Sequence, residues 1–154
     1  MNVPTGSAHD PATNDNVASS QFSRVYDSIR PTLTLSTSSP NPTRFLPISV
    51  TAQFSEPVND FLQNDLTLNN ATASGFTQVD SDTYTFDLVP NADGLVTLDV
   101  AQNTSQDLAG NFNMPTPQLS LVYDTTPPTL SEITPVINPT NDTTPNYIFN
   151  TSEA

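Results

Sequence analysis

The sequence predicts an all-β fold, a sandwich of two antiparallel sheets built from about seven short strands. Apolar residues recur at every second position in seven short runs. Clusters of Pro, Asn, Asp and Gly separate those runs, and no stretch of ten or more residues keeps the 3.6-residue period of a helix. The same phrases also return at a fixed distance along the chain, which sets the size of the folding unit.

The unit opens with "PTLTLS" (31–36), where polar and apolar residues alternate. "ISVTAQF" (48–54) places Ile48, Val50, Ala52 and Phe54 on one face. "DLTL" (65–68) contributes Leu66 and Leu68, and "ASGFTQV" (73–79) is a weaker strand. "YTFDLV" (84–89) aligns Tyr84, Phe86 and Leu88. "PNADG" (90–94) reads as a turn, because its Asp-Gly step suits a tight reversal. "LVTLDV" (95–100) aligns Val96, Leu98 and Val100, and "QLSLVY" (118–123) aligns Leu119, Leu121 and Tyr123. Strands with one apolar face need a second sheet to cover it. Val50, Phe54, Phe86, Leu98 and Leu121 are therefore expected in the core.

"VYDSIRPT" (25–32) and "VYDTTPPT" (122–129) stand 97 positions apart. At the same offset, 12 of the 24 positions in 10–33 are identical in 107–130, including Asp10/Asp107, Asn14/Asn111 and Asn16/Asn113. Asn41-Pro42-Thr43 maps onto Asn138-Pro139-Thr140, and Ser55-Glu56 onto Ser152-Glu153. The chain thus reads as part of a tandem array. Residues 1–30 are the tail of one unit, 31–127 a complete unit, and 128–154 the start of a third. A 97-residue unit is too long for a solenoid repeat and close to an immunoglobulin-type sandwich of about 100 residues.

Composition narrows the function classes. The chain has three Arg, no Lys and sixteen acids, a net charge of −13. Nucleic acid and anionic membrane surfaces require cationic patches, so neither is an expected partner. Cys is absent, which removes disulfides and thiolate metal sites. No run is long enough to span a membrane, and "MNVPTGSAHD" has no signal-peptide character, so a secretion signal would lie outside this sequence. The single histidine, His9, has Gln106 at the equivalent position, and no Ser or Cys nucleophile accompanies it in a catalytic pattern. The four glycines are scattered and form no phosphate loop. The chain is expected to be non-enzymatic. Tyr26 and Tyr123 are expected as core or end-cap aromatics.

"VTAQFSEPV" (50–58), "DLAGN" (107–111) and "VYDTTPPT" (122–129) at these spacings resemble bacterial Ig-like repeats. The resemblance implies large secreted or cell-surface adhesins and biofilm proteins. It implies extracellular spacer or ligand-presenting roles, neighbouring Ig-like repeats as partners, and often calcium at the junctions between repeats. A host or matrix glycan or protein is a further possible partner. The alternative is an accessory or binding module of a secreted multidomain enzyme.

The acids carry the sharpest expectation. "DLAGN" returns as "DPATN" (10–14), Asp124 as Asp27, and Glu153 as Glu56. In an alternating seven-stranded order, the loops after Phe54, before Tyr84 and after Val100 return to the pole where the chain comes in. They carry Glu56, Asp60, Asp80, Asp82, Asp107 and Asn111, and the incoming linker carries Asp27. Calcium takes six to eight oxygens from such groups. Asp27, Glu56, Asp107 and Asn111 are the expected ligands, with Asp124 and Glu153 marking the equivalent site at the next junction.

Overall fold

The computed structural model describes residues 1–135 and 138–153; positions 136, 137 and 154 of the third segment lie outside the described residues. Chain order gives β1 (Leu33–Thr37), β2 (Ile48–Phe54), β3 (Val58–Asn59), β4 (Leu66–Asn69), β5 (Ala71–Gln78), β6 (Thr83–Pro90), β7 (Gly94–Val100), β8 (Gln106–Asp107), β9 (Leu119–Tyr123), β10 (Leu130–Thr134) and β11 (Ile148–Thr151). One sheet has the order β1-β2-β6-β5 and the other β4-β7-β9, every pairing antiparallel. This four-plus-three division is that of a seven-stranded immunoglobulin sandwich. Among the described residues there is no α-helix, only a 3-10 turn at Gln63–Asp65.

The alternation in sequence becomes alternation in burial. In β2, Ile48, Val50, Ala52 and Phe54 point inward, while Ser49 and Gln53 face water. Both sheets feed one contiguous core. Val50, Phe54, Phe86, Leu98 and Leu121 are each at most 2% exposed. Toward one end the core is aromatic. Phe61 meets Phe54 and Tyr84 edge-on, with ring centroids 5.1 and 5.0 Å apart, and Phe76 stacks on Phe86 at 5.9 Å. Such pairs stabilise beyond the area they bury.

Strand direction alternates through the sandwich, so its loops collect at two poles. The near pole, where the linker comes in, is marked by the pairs Leu33–Phe54, Gln53–Thr83 and Leu66–Val100. Two connections meet there through the short β3–β8 ladder, with Val58 opposite Asp107. A third joins them, since the Phe54 amide donates to Asp82 O at 2.8 Å and the Val58 amide to Ser81 O at 3.0 Å. At the far pole the Thr43 amide donates to Val122 O and the Asp124 amide to Thr43 O, both at 2.9 Å.

The flanking segments repeat the geometry of the central unit. Leu130 faces Thr151 and Ser131 faces Asn150 in the β10–β11 hairpin, the register of Leu33–Phe54 and Thr34–Gln53. Tyr147 and Phe149 occupy the positions of Val50 and Ala52, yet are 53% and 57% exposed. The strands that cover Val50 and Ala52 have no counterpart after β11 in this sequence. The same reason accounts for the exposure of Tyr26. Tyr123 packs against the core, whereas Tyr26 is 89% exposed, with no counterpart of the covering strands before it in this sequence.

Phe86 is the most stringent test of this core, being central in β6 and stacked on Phe76. Phe86→Ala is expected to lower unfolding free energy by about 3–5 kcal/mol in a urea melt. A loss under about 1 kcal/mol would place Phe86 outside a packed core.

Candidate metal centre

The centre is built on a turn that closes on itself. Asp107 Oδ1 accepts the amide hydrogens of Ala109 and Asn111, each at 2.8 Å. Its Oδ2 accepts from Asn111 Nδ2 at 2.8 Å. Gly110 takes φ +91°, in the left-handed region that suits glycine. Behind the turn, the fully buried Asn113 replaces a missing sheet ladder. Its Oδ1 accepts from the amides of Thr104 (2.9 Å) and Ser105 (3.0 Å), and its Nδ2 donates to Ala101 O and Met114 O, both at 3.0 Å.

The first segment carries the same device without a sandwich around it. Asp10 Oδ1 accepts from the amides of Ala12 and Asn14 at 2.9 Å, and Asp10 Oδ2 from Asn14 Nδ2 at 2.8 Å. Thr13 stands at Gly110's place and also has positive φ, +68°. Asn16 accepts from Ala8 N and donates to Pro4 O and Val17 O, as Asn113 does with Ser105, Ala101 and Met114. The same turn is thus built twice, 97 positions apart, by the same Asp, Asn and Asn side chains.

The incoming linker is drawn over the turn. Arg30 Nε donates to Phe112 O at 2.7 Å, and Arg30 Nη2 to Asn113 O at 2.8 Å and Asn103 Oδ1 at 2.9 Å. The Met114 amide donates to Pro31 O at 2.8 Å. Asp27 caps its own bend by accepting the Ile29 amide at 2.9 Å, and its carbonyl accepts from Asn111 Nδ2 at 3.3 Å. Glu56 arrives from the end of β2, and the Val58–Asp107 pair holds it beside the turn.

One carboxylate oxygen from each of Asp27, Glu56 and Asp107 lies within 4.8 Å of the other two. Asp27 is exposed, Glu56 half-buried and Asp107 buried. They line a cleft of about 620 Å³ shared with Arg24, Val25, Tyr26, Leu108 and Ala109. Glu56 Oε1 is enclosed and has no hydrogen-bond partner. A buried acceptor left unpaired costs free energy unless something else satisfies it. Three carboxylates with one orphaned oxygen form an all-oxygen donor set that suits a hard divalent cation such as calcium.

A family model described as a bacterial Ig-like domain matches residues 27–123. The chain belongs to the bacterial Ig-like domain family. The matched stretch begins at Asp27, so the linker aspartate is counted with the Ig-like sandwich that follows it. No curated protein and no solved structure matches the chain. Among the described residues, no helix is long and apolar enough to cross a membrane.

Of the expected ligands, Asp27, Glu56 and Asp107 come together at the near pole of the Ig-like unit. Asn111 lies beside them, hydrogen-bonded to the group through its side-chain amide. Its Nδ2 donates to Asp107 Oδ2 at 2.8 Å and to the Asp27 carbonyl at 3.3 Å, which holds the Asp107 carboxylate in place. Asp124 sits at the far pole, where its Oδ1 accepts the Thr126 amide at 2.9 Å, the bend seen at Asp27. Asp60, Asp80 and Asp82 gather around Tyr84 rather than Glu56; burial chiefly, and then these charges, raise the Tyr84 phenol's pKa. Asn113, Arg30 and Phe61 were missed from sequence. The Asn16/Asn113 identity was the available signal for the first.

The two innermost carboxylates are pushed in opposite directions. Hydrogen bonds, first from the Asn111 side chain, hold Asp107 below the usual aspartate range, as Asn14 does for Asp10. Burial raises Glu56, and the charges of Asp107 and Asp27 raise it further. A carboxyl whose folded pKa is raised binds more protons folded than unfolded. Its contribution therefore falls as pH rises from the ordinary glutamate value through the raised one. Glu56→Gln removes that penalty. In chelator at neutral pH the variant is expected to melt higher than the parent, with the gain vanishing at acid pH. A lower melting temperature in chelator would contradict this electrostatic account.

Proposed function

We propose that the chain is a non-enzymatic spacer segment from a tandem Ig-like array of a large extracellular bacterial surface protein, stiffened by calcium where units meet. The observation that carries this reading is the convergence of Asp27, Glu56 and Asp107, because the three come from a linker and two separate loops. Residues 1–30, 31–127 and 128–154 are then parts of three successive units. Asp27, Glu56 and Asp107 would hold the ion, and Asn111 would fix Asp107. Asp124 would serve the next junction as Asp27 serves this one. Calcium supplies the positive charge that three crowded carboxylates lack, and so ties the linker to the sandwich.

The mechanism is mechanical. A linker held on the unit that follows transmits orientation from one sandwich to the next. Prolines at 31, 127 and 128 restrict the backbone further. The acidic surface suits an extracellular setting, where self-repulsion keeps long arrays soluble. His9 supports the non-enzymatic reading, since it is exposed and bonded at 2.6 Å to Asp15 in the turn of the first segment.

Calcium titration followed by thermal melting tests the proposal. Ligand binding only to the folded state adds about 2.7 kcal/mol at one hundred times Kd. The melting temperature is expected to climb with calcium. Asp107→Asn keeps an acceptor for the turn amides but removes the charge, and is expected to abolish most of that climb. An unchanged melting curve with calcium would end the calcium reading.

A further inference from the structure

A second acid at the opposite pole also grips a linker, and it does so with hydroxyls rather than charge clustering. Asp93 lies in the turn between β6 and β7. Its Oδ1 accepts from Thr125 Oγ1 at 2.8 Å and its Oδ2 from Thr126 Oγ1 at 2.9 Å. Successive side chains of an extended strand point to opposite sides. Two adjacent threonines reach one carboxylate only if the backbone bends between them. The bend comes from Asp124, whose Oδ1 accepts the Thr126 amide at 2.9 Å.

The grip is anchored on both sides. The Asn91 amide donates to Asn70 O at 3.0 Å, and Asn70 Nδ2 donates to Ala92 O at 2.9 Å, which ties the Asp93 turn to the neighbouring β4–β5 turn. The Asp124 amide is fixed on Thr43 O. Hydrogen bonds to an ionised carboxylate are stronger than neutral ones. Those from Thr125 first, then Thr126, lower the Asp93 pKa. Beyond Thr126 come Pro127 and Pro128, which carry the direction forward with fixed φ.

The incoming linker is built differently at the same positions. Ser28, Ile29 and Arg30 replace Thr125, Thr126 and Pro127. Ile29 has no hydroxyl for a backward grip, and Arg30 instead binds the unit ahead. Arg30 ties the incoming linker to the sandwich ahead of it, and Asp93 ties the outgoing linker to the sandwich behind it.

We infer that Asp93 is a positioning residue that sets the direction in which the chain leaves the sandwich, through Thr125 and Thr126 and without a metal ion. The function follows from the tandem-array reading, but the latch is independent of calcium. It gives an array an orientation that persists when calcium is scarce.

The full chain allows a direct test because it has no Cys of its own. Spin labels go on Thr67→Cys in β4 and Ser131→Cys in β10, both exposed. Distance distributions are recorded by double electron–electron resonance with chelator present. The parent is expected to give one narrow peak. Asp93→Ala is expected to lose it, and so is the shape-conserving pair Thr125→Val with Thr126→Val, which guards against misfolding of the first variant. Arg30→Ala, which acts on the other linker, is expected to keep the peak. A narrow peak in both latch variants would overturn the inference and leave the prolines as the cause of rigidity. A parent that is broad in chelator and narrow only with calcium would also overturn it, while supporting the calcium reading. A calcium-insensitive parent whose peak is lost in the latch variants would leave the latch standing as the cause of the outgoing direction, apart from the near-pole carboxylates on the other linker.

Discussion

The amide of Asn113 is the contact on which the near pole depends. Between β8 and β9 the chain runs without a regular ladder, and buried backbone groups must still find partners. A single side chain, 0% exposed, satisfies two amides and two carbonyls there. With residues 101–114 thus fixed, the carbonyls of Phe112 and Asn113 present a rigid docking strip to Arg30. The Asp107 turn presents its carboxylate in one direction. The same pattern of bonds recurs around Asn16, so the side-chain lock is a repeated feature of the sequence.

The same architecture sets stability against function. A sandwich gains nothing from bringing Glu56, with an enclosed and unpartnered oxygen, next to Asp107 and Asp27. Local violations of folding rules are where functional sites are sought. The rest of the Ig-like unit obeys the rules closely. Its strands alternate, its core is apolar and contiguous, and its exposed acids are mostly bonded to nearby amides or hydroxyls. Strain is therefore concentrated at the pole where a neighbouring unit would meet this one.

Much of this was legible in the sequence, for identifiable reasons. Period-2 runs such as "ISVTAQF" give both strand and face, and β2 covers those seven residues. Seven alternating strands fix which loops share a pole, so Glu56 and Asp107 could be brought together before any coordinates. What escaped lacks a period. Phe61 sits in an irregular connection, and the two-residue strands β3 and β8 are too short to show a pattern. The hydrogen bond from Asn111 Nδ2 to Asp107 turned on which atom of the amide faces the carboxylate, and spacing carries no such information. Arg30 reads as an ordinary linker cation until the strip at 112–114 is seen beneath it.

On the proposed reading, the carboxylates of Asp27, Glu56 and Asp107 hold a divalent cation. Crystals of the chain grown with calcium, measured for anomalous scattering, test it most directly. One anomalous peak is expected in the cleft, within about 2.3–2.6 Å of oxygens from Asp27, Glu56 and Asp107. A cleft without a peak, with Glu56 bonded to water or to a neighbouring amide instead, would contradict it.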